Sequence, residues 1–428
     1  MDYRKPIRVL ALIGFVVLAG YNARGLAHAP AFGLPQQFVF PGNDLVVYLR
    51  AGQAVWSGDG PYVTEPWTDP AVFHYSPAIA AITAQVVGRT TGFGDALPFR
   101  LLALLYWAVI VICLPVAWIV WRRVFSIFLP NSPSLMTAWL PVWLIYSQWF
   151  ADQNYLNIYT VLMVLTGALT LAIARERSWL AVLLAALILQ TKPHYAFPLI
   201  LPLLLGNWRY FIKLLAGTAT AYLAVAGATV LAVGPPYGLA LYDDYARFLT
   251  SIQANYPWSS YYLGYNHSWY SIVHWIFGIR PWASIVVTAI KIVSFIPVGW
   301  LGWRVLRGRI TDRPIAALGL ALALHLWSMT LLDQLWEVSL AIVAFMYLLA
   351  TAAPAIRRAA ILIGVPFALL GLAQLAGWGA AILVDSSMEQ LDITARVPLL
   401  MAAALGLCAL VLVTIERRNG VVRESPSR

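Results

Sequence analysis

An all-α polytopic membrane protein is the fold class the sequence predicts, on three observations: 61% of its 428 residues are hydrophobic, 11% are charged, and the apolar residues come in long runs. A mean hydropathy of +0.75 leaves more apolar surface than a soluble core of this size buries, so lipid must cover the remainder. The runs predict twelve spans in one domain, 1–428: 8–24, 100–121, 134–150, 155–174, 179–192, 195–206, 210–233, 282–303, 314–331, 335–351, 359–384 and 396–415. Runs 179–192 and 195–206 are short against the roughly 20 helical residues that cross a bilayer. They either extend through polar neighbours or break near Pro193 and Pro198. Segments 77–88 and 269–279 are also too short to span, and they read as re-entrant or interfacial helices.

Charge tests that assignment. The net charge of +10 is spread in small basic groups beside apolar runs, a pattern of membrane topology and not of nucleic-acid binding. The first run follows Arg4, Lys5 and Arg8 without a small-residue cleavage site, so it reads as a retained span. With the N-terminus inside, every inner loop carries its cluster: Arg122-Arg123, Arg175 with Arg177, Arg209 with Lys213, 304–313, Arg357-Arg358 and Arg417-Arg418. Full crossing by 77–88 and 269–279 would turn the clusters between them outward, which the positive-inside rule disfavours. The expected location is therefore the plasma (inner) membrane, multi-pass, with both termini cytoplasmic. The two cysteines, Cys113 and Cys408, lie in apolar runs and exclude a disulfide framework or a cysteine-rich metal site.

This topology puts nearly all the reactive residue types on one side. The first outer loop, 25–99, holds Asp44 and His74. Shorter outer segments hold Asp152, Gln153, Asn154, Lys192, His194, Asp333, Gln334 and Glu337. The second outer loop with its re-entry segment, 234–281, holds Asp243, Asp244, Arg247, Asn266 and His267. An outward-facing polar pocket under two long loops follows.

The chain is organised around 38–77. After Pro41-Gly42, Leu45, Leu49, Gly52 and Trp56 recur at helical spacing, predicting a short amphipathic helix that Gly58, Gly60 and Pro61 stop. Its apolar stripe suits a membrane surface, and Tyr62, Trp67, Phe73 and Tyr75 suit an interface or a sugar face. Asp44 reads as a helix N-cap or as a functional carboxylate. In SQWFADQNYLNIY, Asp152 or Asn154 is suited to capping a helix and Asn157 to facing the bundle interior, while the same amides suit sugar hydroxyls. In TKPHYAFP, Lys192 lies at a membrane edge, where it either snorkels or meets a lipid phosphate, with His194 assisting or packing. In GYNHSWYSI, Asn266 or Ser268 caps a helix, or Asn266 and His267 reach a ligand. Adjacent Asp243 and Asp244 lack an evident third metal ligand. His325 reads as a buried packing histidine, and Asp333 and Glu337, four apart on one helical face, as holding a basic partner such as Lys192 or Arg247.

The ordered set GNDLVVYLRAGQAVWSGDGPY, FHYSPAIA, the amides at 153–157, Lys192-Pro193 and Asn266 to Ser268 resembles the bacterial GT-C glycosyltransferases related to polyprenyl-phosphate-mannose-dependent α-mannosyltransferases. The resemblance covers about 40–275, and it departs from that pattern at Ser76-Pro77 and at Asp333-Gln334. It implies a GT-C-like bundle that moves a sugar, mannose first and arabinofuranose as the alternative, from a polyprenyl phosphate to a glycolipid or glycan hydroxyl with inversion. On that resemblance Asp44 is the general base. Lys192, His267 and Arg247 become donor-phosphate contacts, and Asn43, Tyr48, His74, Tyr75, Gln153, Asn154, Asn157, His194 and Asn266 sugar or acceptor contacts. One carboxylate suffices, because a phosphate leaving group departs as a stable anion without a general acid. A lysine and neutral donors can stabilise it, so no metal and no cofactor is expected. A lipid-linked saccharide transporter is the rival from another class. It would show related halves and charges on paths to both faces, and the sequence has neither.

Overall fold

A computed structural model of the chain describes residues 4–28, 42–62, 73–89, 96–130, 133–255, 268–278, 280–310, 312–331, 340–364 and 402–418, and all its regular elements are helical. In order these are α1 (Arg4–Ala27), α2 (Asn43–Ser57), α3 (Pro77–Arg89), α4 (Ala96–Phe128), α5 (Pro133–Ala138), α6 (Leu140–Leu144), α7 (Ser147–Tyr155), α8 (Tyr159–Ala174) and α9 (Ser178–Leu189). A 3-10 helix, Pro193–Ile200, runs into α10 (Leu201–Leu204), followed by α11 (Trp208–Val233), α12 (Pro235–Asn255), α13 (Trp269–Phe277), α14 (Pro281–Leu306), α15 (Arg313–Leu331) and α16 (Ala341–Thr351). Helical stretches at 354–364 and 402–418 complete the described residues.

The all-α membrane class stands. Four described helices are long and apolar enough to cross a bilayer: Pro6–Ala27, Pro98–Phe128, Trp208–Val233 and Trp282–Leu306. In the most apolar windows of α11 and α14 only 17% of residues are buried, so these helices offer most of their circumference to lipid. At 33 residues, α4 is about 50 Å long. It exceeds the roughly 30 Å hydrocarbon thickness and must tilt or protrude.

Three expectations are revised. The span expected at 134–150 is three short helices, α5, α6 and the first half of α7, because Pro133 and Pro141 remove amide donors and restart the helix. The 195–206 run, counted among the spans, follows its stated alternative and breaks: Pro193 opens a 3-10 helix to Ile200 that contains Pro198, and one α-turn, Leu201–Leu204, follows. The first part of the second outer loop is the 21-residue helix α12, whose buried positions Gly238, Leu241, Tyr245 and Phe248 follow helical spacing.

Two cores result. The larger contains Trp121, Trp143, Trp149, Tyr195 and Tyr347 and joins α4 through α10 to α15, α16 and 402–418. The second surrounds the α2–α3 hairpin and takes in Leu26, Phe99, Leu156, Leu241, Tyr245 and Phe248. Ile158 packs against both.

The α2 stripe meets protein and not a membrane surface. Leu45, Leu49 and Gly52 are buried, while Trp56 is 56% exposed and its ring lies on Gly88 of α3. At Gly52 an added Cβ would fall 2.6 Å from the Thr83 carbonyl carbon. Backbone on that side cannot yield, so Gly52→Val must separate the two helices. A loss of about 1–3 kcal/mol is expected, the cost of overpacking, read as a lower unfolding temperature in detergent. An unchanged midpoint would show that this close approach contributes nothing.

The bundle has two chemically distinct ends. The α8–α9 hairpin closes on Arg175, Glu176 and Arg177 and opens at Tyr159 and Lys192, whose side chains are hydrogen-bonded. From Lys192 the chain returns through Pro193–Leu204 to the basic end, where Arg313 Nε donates to the Leu204 carbonyl. Arg304 pairs there with Glu416, and Arg418 with Asp312.

Candidate functional site

Gly42 stands at the N-cap of α2 with φ 87°, a left-handed conformation that favours glycine. Its amide donates to the Asn154 carbonyl at 2.7 Å, tying α2 to α7. The N-cap alternative for Asp44 is thereby set aside: no side chain caps α2, and the Asp44 carboxylate, one residue into the helix, points at Asn157.

Asn157 Nδ2 donates to Asp44 Oδ2 at 2.5 Å. The amide's orientation follows from its other end, where Oδ1 accepts the Ile158 N–H at 2.7 Å, a group that can only donate. Tyr48 and Tyr75 hydroxyls lie 3.0 Å from each other and 3.4 Å from the same Oδ1. Burial holds both phenols well above their ordinary pKa, so they remain O–H groups. Asp44 Oδ1 accepts no hydrogen bond among the described residues. One carboxylate oxygen is thus anchored and the other left for a ligand.

Lys192 reaches the same place from the end of α9. Its Nζ donates to Tyr159 Oη at 2.6 Å and lies 4.0 Å from the centroid of that ring and 5.7 Å from that of Tyr75. Tyr75 thus adjoins both groups, its ring near the ammonium and its hydroxyl 3.4 Å from Asn157 Oδ1. Asp152 supports both partners: its Oδ2 accepts from Thr160 N at 2.7 Å and its Oδ1 from Tyr159 N at 3.2 Å, at the start of α8. The capping expected of Asp152 is present.

Electrostatics follow from this placement. Burial pushes the Asp44 carboxyl up to about 7, against the Lys192 ammonium, with Asp152 adding to the rise and the Asn157 hydrogen bond opposing it. Burial also raises Asp152, to about 6, against the amides of Thr160 and Tyr159 and the charge of Lys192.

Beyond Lys192 an apolar groove of about 330 Å³ runs along the 3-10 helix, lined by Pro193, His194, Phe197, Phe211, Leu324 and His325 among others. His194 packs on Tyr195 at 4.8 Å and on His325 at 5.8 Å between ring centroids. His325 is fully buried, and its Nδ1 is 3.1 Å from the His194 carbonyl.

The expected site residues divide accordingly. Asp44, Tyr48, Tyr75, Asn157 and Lys192 come together, while His194 stands one step along, at the groove. His74 is half-buried with its ring 5.7 Å from Phe248, outside the Asp44 cluster. Gln153 is buried in α7 and its Oε1 has no partner among the described residues. Asn154 contributes its carbonyl to Gly42. Arg247 is exposed on α12 and pairs with Asp243 one turn back, which gives this arginine and this aspartate a local role. Asn43 opens α2, but its side chain lies outside the described residues, as do Asn266, His267, Asp333, Gln334 and Glu337.

Three contributors were not anticipated. Tyr159 and Tyr106 contact Lys192 and the Asn157 carbonyl, respectively. Ser76 Oγ donates to Gln190 Oε1 at 2.5 Å, and Ser76 N donates to the Gln190 carbonyl, fixing the chain beside Tyr75 to the end of α9. A tyrosine at the first residue of a span, opposite a lysine at the end of the next, was the available signal. Among the described residues no group of three histidine, cysteine, aspartate or glutamate side chains is placed to hold a metal ion. Comparison with protein-family models and with curated proteins finds no match to this chain.

Proposed function

We propose that this protein is an inverting membrane glycosyltransferase with a GT-C-like bundle of about twelve spans. It moves a sugar, mannose in the first instance, from a polyprenyl phosphate to a hydroxyl of a glycolipid or glycan. The observation that carries this reading is the convergence, at one end of the bundle, of a carboxylate whose Oδ1 has no partner among the described residues and a lysine ammonium, joined through Asn157 and Tyr159.

Each part has a task in that reaction. Asp44 Oδ1 takes the proton of the acceptor hydroxyl as its oxygen bonds to the anomeric carbon. The bond from that carbon to the phosphate oxygen breaks, and polyprenyl phosphate leaves as an anion. Lys192, whose ammonium lies 5.7 Å from the centroid of the Tyr75 ring, holds the phosphate in this reading. The apolar groove starting at Pro193 and His194 gives the isoprenoid chain a path away from it. The arginine-rich turns lie at the opposite end of the bundle from Lys192, and arginine collects on the cytoplasmic side. The site then faces outward, with both termini inside.

A pH dependence follows. Asp44 must be ionised to accept a proton, and burial raises it to about 7. Turnover should therefore fall as pH drops through 7, losing about tenfold for each unit below. A profile flat between pH 5 and 8 would remove an Asp44-type base. The direct test is to incubate purified protein in lipid nanodiscs with synthetic polyprenyl-phosphate mannose or arabinose and follow released polyprenyl phosphate by mass spectrometry. No release from either donor, with acceptor glycolipids supplied, overturns the proposal.

A further inference from the structure

We propose that Asp152 is the positioning residue of this site. Through the start of α8 it sets Asn157 against Asp44 and Tyr159 against Lys192, and its carboxylate is a second negative charge beside Asp44.

The segment 152–160 closes on this residue. The Asp152 carbonyl accepts from Leu156 N and Asn157 N, and its carboxylate accepts from Tyr159 N and Thr160 N. Between them Leu156 is fully buried at φ 57°, a left-handed conformation that a leucine adopts only when its surroundings impose it. The two residues that follow Leu156 and Ile158, Asn157 and Tyr159, are the partners of Asp44 and Lys192. A neutral cap of α8 would need no charge. Here a carboxylate that is 2% exposed is kept where burial of charge is costly. The titratable groups that interact with it electrostatically are Lys192 after α9, Asp44 of α2, Tyr75 before α3, and Tyr106 and Cys113 of α4. The facing element α1 offers the neutral Asn22, bonded to the Phe150 carbonyl.

Asp152→Asn tests this, since it keeps an acceptor oxygen for one of the two α8 amides and deletes the charge; Asp152→Ser serves in the same way if the amide does not fold. Removing a like charge favours ionisation of Asp44. Two readouts are used, of which only the second rests on the transferase reading. In the first, a protonated-carboxyl infrared band is expected to titrate near neutrality in the wild type and to be absent from Asp44→Asn. In Asp152→Asn it should move to lower pH by about half a unit or more. In the second, the acid limb of sugar transfer should move in the same direction. Both remaining at their wild-type pH would leave Asp152 a helix cap and overturn the proposal. An infrared shift in Asp152→Asn, with a wild type that transfers no sugar, would sustain the positioning role and sink the transferase reading. Transfer with an unshifted band would do the reverse.

Discussion

Asp44→Asn is expected to lower sugar transfer by about 10²–10⁴-fold, the usual contribution of a positioned general base, while the protein folds and inserts as before. The substitution is nearly isosteric, and the amide oxygen it introduces can still accept from Asn157 Nδ2, which keeps α2 docked against the α7–α8 link. What disappears is the basic lone pair at Oδ1. A hydroxyl attacking the anomeric carbon would then carry its proton into the transition state. The measurement is single-turnover release of polyprenyl phosphate in nanodiscs, run beside binding of polyprenyl phosphate alone. Binding retained with turnover lost is the expected pattern; turnover within a few-fold of wild type would take Asp44 out of the mechanism. Loss of both, with a lowered unfolding temperature, would make the Asp44–Asn157 bond structural.

The helix carrying Asp44 was legible because its ends are marked by residues with few conformational alternatives. Gly42 and Gly58 both adopt positive φ at the caps of α2. Where its apolar stripe would rest was not legible. The stripe is as apolar as a membrane-surface helix, and only the approach of Gly52 to the Thr83 backbone shows that another helix covers it. Hydropathy likewise located the membrane region but averaged across the prolines that break 134–150, whereas the shortness of 195–206 and its Pro193 and Pro198 already marked a break there. α12 was taken into a loop because Pro235-Pro236 opens it and Asp243, Asp244 and Arg247 lie along it. Its buried face, completed by Tyr245 and Phe248 against Tyr62, becomes visible only with that partner present. At the site, residue types pointed to Asp44, Asn157 and Lys192. Contacts such as Ser76 with Gln190, 114 positions apart, depend on tertiary placement that no local pattern encodes.

Lys192→Met is expected to weaken the donor site and, in the opposite sense to Asp152→Asn, to move the base. The methionine stem fills the space of the lysine methylenes against Tyr159 and Tyr75, so packing is largely kept while the ammonium is lost. A charge-assisted contact to phosphate is worth about 1.5–3 kcal/mol, so binding of polyprenyl phosphate should fall by about tenfold to a hundredfold. The same ammonium lowers the affinity of Asp44 for its proton. Without it Asp44 should bind that proton more tightly, and the acid limb of transfer should shift to higher pH. The two variants thus bracket the wild type, one removing a negative neighbour of Asp44 and the other a positive one. Lys192→Arg should restore much of the pH position but not the full affinity, because a planar guanidinium does not reproduce a compact ammonium held against the Tyr159 hydroxyl. Unchanged phosphate binding in Lys192→Met would exclude this amine as the phosphate ligand, and an acid limb displaced to lower pH would contradict the charge arrangement on which the site depends.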